Sequence, residues 1–166
     1  MRPIALVAAS VCAAAVPFQA SAAEPITTRQ YTTDERQALA AVDRFFEAMH
    51  NHDVATWLTT VIPEGLATGI KVGEGPQPFM RSWHWATYIE NTAATPQKVS
   101  ERLLDPEVKV ERDLAMVWGR YDFSVDGSVD HCGVDHFELV RKNGKWFVYN
   151  LTWTNQKVGC SKSVGS

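Results

Sequence analysis

The stretch D126-GSVDHCGVDHFELVRKNGK-W146 decides how the second half of this chain folds. It opens on Asp126-Gly127 and closes on Asn143-Gly144. Each dipeptide suits a two-residue type I′ hairpin loop, which needs positive φ at both central positions. Between them lies a run too long and too rich in β-branched and aromatic residues for anything but a strand. On its flanks, "LAMVWGRYDFSV" and "KWFVYNLTWT" have the same character, and "KVSERLLDPEVKVE" precedes them across Arg112-Asp113. The reading is four consecutive strands in an antiparallel meander.

With two-residue loops at both turns, Val125 faces Ser128 and Lys142 faces Lys145. Opposed residues share a face and neighbours alternate. One face then carries Met116, Trp118, Arg120 and Asp122, then His131, Gly133, Asp135, Phe137 and Leu139, then Trp146, Val148, Asn150, Thr152 and Thr154. Its apolar members gather at one end and its polar members at the other, the pattern of a pocket with a polar mouth. Asp122 is expected opposite His131, and Trp118 opposite Asp135. Asp122, His131 and Asp135 are therefore the candidate catalytic groups, since a carboxylate beside an imidazole suits proton transfer near neutral pH. Trp118, Arg120, Asn150 and Thr152 are the candidate ligand contacts. The other face, with Tyr121, Phe123, Cys132, Val134, Phe147, Leu151 and Trp153, is too apolar to meet water alone. Either a second copy covers it as a homodimer, or the face assignment is inverted.

Asp130, His131, Asp135 and His136 resemble a metal site only in one-letter code. The strand period sends His131 and Asp135 one way and Asp130 and His136 the other, short of the three or four ligands zinc takes. No metal and no cofactor is expected, and no nucleotide or phosphate-binding glycine motif occurs.

Upstream of the strands the pattern is helical. In "TTDERQALAAVDRFFEAMHNHD", Thr32 and Glu35 have capping-box spacing, and Leu39, Val42, Phe46 and Met49 form an apolar stripe flanked by Phe45. Asp43 lies beside that stripe and is expected to be exposed. Asp53 is placed to cap a short helix, "VATWLTTVI", that Pro63 stops. Residues 63–78, rich in Gly and Pro with a short strand "LATGIKV", read as an insertion or lid. "FMRSWHWATYIENTA" reads as one aromatic helix, on which Trp83 and Trp85 cannot face the same way. Helices followed by a meander make an α+β domain.

The first residues have a different character. One Arg, an apolar run from Ile4 to about Phe18 and the small residues Ala20-Ser21-Ala22 have the three-part pattern of a secretory signal peptide over residues 1–22. A secreted or periplasmic location follows. The apolar run is shorter than a membrane span. Sixteen Lys and Arg stand against 19 Asp and Glu, net −3, which argues against nucleic acid or an anionic membrane surface as partner. Cys132 and Cys160 remain after the leader, and an oxidising compartment favours a disulfide between them.

"LAMVWGRYDFSVDG" and "HCGVDHFELVRKNGKWFVYNLTWT", with "AVDRFFEAMHNHDVATWL" upstream, resemble secreted members of the nuclear transport factor 2-like superfamily, in its SnoaL-like and lumazine-binding-like branches. The resemblance covers residues 32–160. It implies a cystatin-like α+β cone, in which a curved antiparallel sheet wraps the N-terminal helix and the open end is a pocket. It also implies dimerisation through the outer sheet face. Catalytic relatives place Asp, His and Tyr in the pocket, but the isomerases' motif order is not found here. Three functions stay open: binding of a small organic ligand, isomerase, dehydratase or cyclase chemistry, and a protein-interaction domain with a vestigial pocket.

Overall fold

The computed structural model describes residues 29–71 and 79–160. The leader expected at 1–22 lies outside the described residues. Three helices, α1 (Thr33–His50), α2 (Val54–Leu58) and α3 (Trp85–Ala93), pack on one sheet built from β1 (Leu66–Lys71), β2 (Phe79–His84), β3 (Val99–Glu111), β4 (Leu114–Val125), β5 (Ser128–Lys142) and β6 (Lys145–Asn155). The sheet order is β2-β1-β6-β5-β4-β3 and the sheet is not closed. The α+β cone expected from the sequence is the observed architecture.

Helix α1 starts where the capping box places it. The Thr32 backbone N–H donates to Glu35 Oε2 at 2.6 Å, and the Glu35 N–H donates to Thr32 Oγ1 at 3.3 Å. Its buried stripe of Ala38, Ala41, Val42, Phe45, Phe46 and Met49 lies in the hollow of the sheet. Phe45 anchors that contact, meeting Trp57, Trp85 and Phe137 edge-on at ring distances of 5.3–5.8 Å. Asp53 caps α2 by accepting from the Thr56 N–H at 3.0 Å.

The short strand expected within residues 63–78 is β1, and residues 72–78 of that segment lie outside the described residues. The pairing of β1 and the structure of 79–93 depart from expectation: β1 runs parallel to β6, from Ala67 opposite Leu151 to Lys71 opposite Asn155. The sheet is therefore mixed. A parallel neighbour is reached by a crossover and leaves no turn signature in the sequence. The aromatic run is not one helix: Phe79–His84 is strand, and α3 begins at Trp85. That change of element lets both tryptophans point inward, Trp85 fully and Trp83 partly buried.

Both hairpin turns form as expected. Asp126 and Gly127 have φ of 50° and 81°, Asn143 and Gly144 of 52° and 73°, and the closing pairs are Val125 with Ser128 and Lys142 with Lys145. Beyond each turn a β-bulge shifts the register by one residue. In β5, Asp130 is the extra residue, so Phe123 faces His131 and Asp122 faces Cys132. In β6 it is Tyr149, so Leu151 rather than Asn150 faces Phe137. A one-residue shift exchanges the two faces of everything beyond it. The inward side is therefore Ala115, Val117, Gly119, Tyr121 and Phe123 of β4, the expected His131, Asp135, Phe137 and Leu139 of β5, and Trp146, Val148, Leu151 and Trp153 of β6.

The predicted Asp122–His131 pair and the Trp118–Asp135 pair do not exist. Asp122, Trp118, Arg120, Asn150 and Thr152 lie on the outer face. The Tyr149 bulge has a visible purpose. It leaves the Tyr149 carbonyl free to accept the Trp85 indole N–H at 2.9 Å, which ties α3 to the sheet. Cys132 and Cys160 are bonded, with Cα atoms 5.5 Å apart, and hold the C-terminal tail against β5.

Candidate functional site

The site grows from the inward positions at the open end of the cone. On β3, Val99, Glu101 and Leu103 alternate inward, with Glu101 opposite Phe123 and Leu103 opposite Tyr121. On β5, Asp135 points inward between Gly119 and Trp153. Its exposure is 0%, and neither carboxyl oxygen has a hydrogen-bond partner. Glu101 is the neighbour that can bond to it, and two carboxyl groups bond only when one carries a proton.

Burial is the main force on both acids. It raises Asp135 well above the usual carboxylate range, and the Glu101 charge raises it further. Glu101 is pushed up to about 7 by burial, opposed by its interaction with Asp135. Burial thus favours the protonated form of both acids, and a proton shared between them lets the two carboxyl groups bond each other. Burial also keeps the Tyr88 and Tyr121 phenols protonated, and the two acids reinforce this. The Tyr121 hydroxyl donates to the Thr154 carbonyl at 2.8 Å.

His131 points inward but stands at the rim. Its ring stacks on Phe123 at 4.5 Å and meets Tyr121 edge-on at 5.8 Å. Nδ1 lies 2.9 Å from Asp130 Oδ2. Burial lowers the imidazole's pKa, against the opposing pull of Asp130. Asp130 itself is held low by His131 and by Lys157, whose Nζ is 3.1 Å from Oδ1. His131 and Asp135 thus share the inner face, while the carboxylate beside His131 is Asp130 and not Asp122.

An aromatic corner adjoins the acids through Trp153, the cross-strand neighbour of Asp135. Trp83 and Trp153 are nearly parallel, 13° apart with centroids at 6.0 Å, and Tyr88 leans on both at 6.3 and 5.6 Å. Gly69 makes room for this stack, since a Cβ there would lie 2.9 Å from the Trp153 ring. Trp83, Tyr88, Val99, Phe123 and Val125 line a cleft of about 580 Å³ that opens to solvent past Arg81 and Asp130. A second cleft of about 410 Å³, between α1 and β3, reaches Glu101 from the side of Asp43 and Phe46. A separate groove between α1, α2 and β6 has a similar volume, about 570 Å³, but its Arg44, Glu47, Asn51 and Thr56 are all exposed.

On the outer face, Asp122 is 2% exposed and ion-paired with Arg102 at 3.1 Å. Asn150 Nδ2 donates to Glu138 at 2.6 Å, and Asn150 Oδ1 accepts from the Leu66 N–H at 2.9 Å. Trp118 is 48% exposed beside His136. Among the described residues no group of three or more His, Cys, Asp or Glu is arranged to hold a metal ion, and no helix is long and apolar enough to cross a membrane.

Solved structures share this architecture. A protein of unknown function with a cystatin-like fold from Nostoc punctiforme matches at TM-score 0.60 and 12% identity, over 79% of this chain and 97% of its own. A nuclear transport factor 2-like protein of unknown function from Shewanella baltica matches at TM-score 0.57 and 12% identity, over 78% and 98%. The fold is nuclear transport factor 2-like. A candidate dehydratase of the nuclear transport factor 2-like family from Streptomyces avermitilis matches at TM-score 0.59 and 20% identity, over 75% of this chain and 96% of its own. No family model matches the sequence, and no curated protein matches it significantly. At these identities the likeness describes the nuclear transport factor 2-like cone, and the chemistry has to be argued from its lining.

Sequence reasoning missed Glu101, Tyr88, Tyr121 and Trp153 as site residues. Glu101 did carry a signal. It is an acid flanked at two-residue spacing by Val99 and Leu103, which sets it on the buried face of its strand.

Proposed function

We propose that the nuclear transport factor 2-like cone binds a small organic molecule. The ligand enters between α3 and the β3–β4 strands and presents a polar group to Asp135 and Glu101. The observation that carries this reading is the Asp135 carboxyl, wholly buried with no donor group on either oxygen and only the Glu101 carboxyl placed to share a proton with it. A buried polar group without a partner costs about 1–3 kcal/mol, more when charged, and a ligand group that fills the gap removes that cost. The compartment in this reading is secreted or periplasmic, supported by the leader-like residues 1–22 and the Cys132–Cys160 bond.

Native mass spectrometry of protein isolated from its source tests the reading. Wild type should carry a small-molecule adduct that Asp135→Leu loses. A ligand-free wild type that also resists loading with aromatic probes would refute it.

The carboxyl pair itself favours a second reading, acid–base catalysis of an isomerisation or dehydration. A pair that shares one proton contains both an acid and a base, and the protonated Tyr88 phenol is a candidate donor to a developing oxyanion, whereas Tyr121 already donates to the Thr154 carbonyl. The likeness to a candidate dehydratase is compatible with it. In this reading His131 modulates the mouth, and Glu101 and Asp135 do the proton transfer. Activity should follow a bell-shaped pH profile, and Glu101→Gln should lower kcat at least a hundredfold. A homodimer through the outer sheet face rests on a smaller apolar basis than the turn arithmetic implied, chiefly Leu114, Met116 and Trp118. A single monomeric boundary in sedimentation would remove it.

A further inference from the structure

The lining of the cleft says what kind of small molecule it suits. We infer that the ligand is an organic cation, an amine or quaternary ammonium on a small apolar body, held against Trp83, Tyr88 and Trp153 with Asp135 and Glu101 behind them. This rests on the reading that the cone binds a small molecule, and it narrows the class.

Three observations carry it. The first is the aromatic corner, where three electron-rich rings meet within 5.6–6.3 Å of one another, an arrangement whose faces attract cations. The second is that one of those faces already attracts a cation: the Arg81 guanidinium lies 5.0 Å over the Trp83 ring. The third is the charge balance inside. Asp135 and Glu101 point inward, whereas Arg81, the basic side chain that lines the cleft, is exposed and lies over Trp83 with no ion pair to either acid. Around them, β3 presents Val99 and Leu103, β4 presents Tyr121 and Phe123, and β6 presents Leu151 and Trp153. Arg102 points outward to Asp122, and Lys157 is engaged by Asp130. An ionised acid here lacks a counterion, and in a poorly solvated site a ligand cation would supply it. Register joins the two halves of the site, since Trp153 lies directly opposite Asp135 and Phe123 directly opposite Glu101.

Binding should therefore compete with protonation of the pair. The groups facing it are Tyr88 from α3, His131 and Asp130 from β5, Arg81 from β2, and Asp43 from α1 beside the second cleft. Of these, Tyr88 is kept protonated across the neutral range, and Asp130 is kept ionised by His131 and Lys157. Loss of His131's proton would also strengthen cation binding on the way up in pH, with the same sign as the carboxyl effect, so the rise is assigned to the acids by its loss in Glu101→Gln/Asp135→Asn and its survival in His131→Asn.

The test is calorimetric titration of the disulfide-intact protein with benzyltrimethylammonium, benzyl alcohol and benzoate. The quaternary probe does not titrate, so its pH dependence reports the protein. At pH 8 it should bind at least tenfold tighter than benzyl alcohol, with benzoate weakest. Its affinity should rise up to about tenfold from pH 6 to pH 8, with protons released on binding in paired buffers of different ionisation enthalpy. Glu101→Gln/Asp135→Asn should abolish both the preference and the proton release. If that variant does not fold, the pH series of His131→Asn decides: a rise that persists without the imidazole belongs to the acids, and its disappearance overturns the assignment. Equal or tighter binding of benzyl alcohol or benzoate overturns the cation assignment and leaves small-molecule binding standing. Failure of all three probes overturns both.

Discussion

Raising the pH from 5 to 8 should cost wild-type protein stability that a Glu101→Gln/Asp135→Asn variant keeps. The folded chain holds protons on these two acids over a range in which the unfolded chain has released them. A group whose folded pKa is raised contributes stability that is fully present below its unfolded value and lost as pH rises through its folded value. For Glu101 that window runs from 4.5 to about 7. At about 1.4 kcal/mol per pH unit, the ceiling for this one group is about 3.4 kcal/mol. Glu101 is partly exposed, and solvent screening brings the expected loss to about 2 kcal/mol. Asp135, raised well above its ordinary 3.8, acts in the same direction. Asp53 and Glu35 are held low by hydrogen bonds from their helix N-termini, so their contribution is lost only below the window. His131, lowered by burial, works in the opposite direction through pH 6.5, and subtracting the variant's curve removes it. Urea unfolding at unit pH intervals, with the disulfide intact, measures the difference. The variant should gain about 2 kcal/mol on wild type between pH 5 and 8, roughly 6 °C in Tm. A gap that stays constant with pH, or closes, would refute a proton-sharing pair in the core.

Three further outcomes can be checked. Cys132→Ser removes a bridge between positions 28 apart and should cost about 3–4 kcal/mol in urea unfolding, matched by adding reductant to wild type. Asp122→Asn weakens the ion pair of the buried Asp122 with the exposed Arg102 on the outer face. It should cost about 1–2 kcal/mol yet leave benzyltrimethylammonium affinity within twofold, whereas a tenfold loss would put Asp122 back in the site. Gly69→Val pushes side-chain atoms into the Trp153 ring. It should shift tryptophan emission and weaken the same probe about tenfold, with far-ultraviolet circular dichroism unchanged.

The elements of this chain were readable where their causes are local. The Thr32–Glu35 box, the Asp53 cap and the two turns depend on atoms within four residues of each other, and all four formed where expected. The inward set on β5 and the Cys132–Cys160 bond were readable too. The site was only half readable. His131 and Asp135 were placed on the inner face, but Asp122, Trp118, Arg120, Asn150 and Thr152 were placed there by a register that two bulges overrule.

Sequence alone determined the order of helices and strands except at Phe79–His84, their caps and turns, and the alternation along each strand, because those follow from short-range sterics and hydrogen bonding. Tertiary structure decided which strand face met which. The Asp130 and Tyr149 bulges belong to the closing of the sheet over α1 and α3, through contacts such as the Trp85 indole on the Tyr149 carbonyl, made across 64 residues of chain. It also brought Glu101 to Asp135 and Tyr88 to Trp153, from strands and a helix that have no local reason to meet. A single extra residue in a ladder exchanges the faces of everything after it. The chemistry of the site was therefore fixed at the two positions where local rules say least.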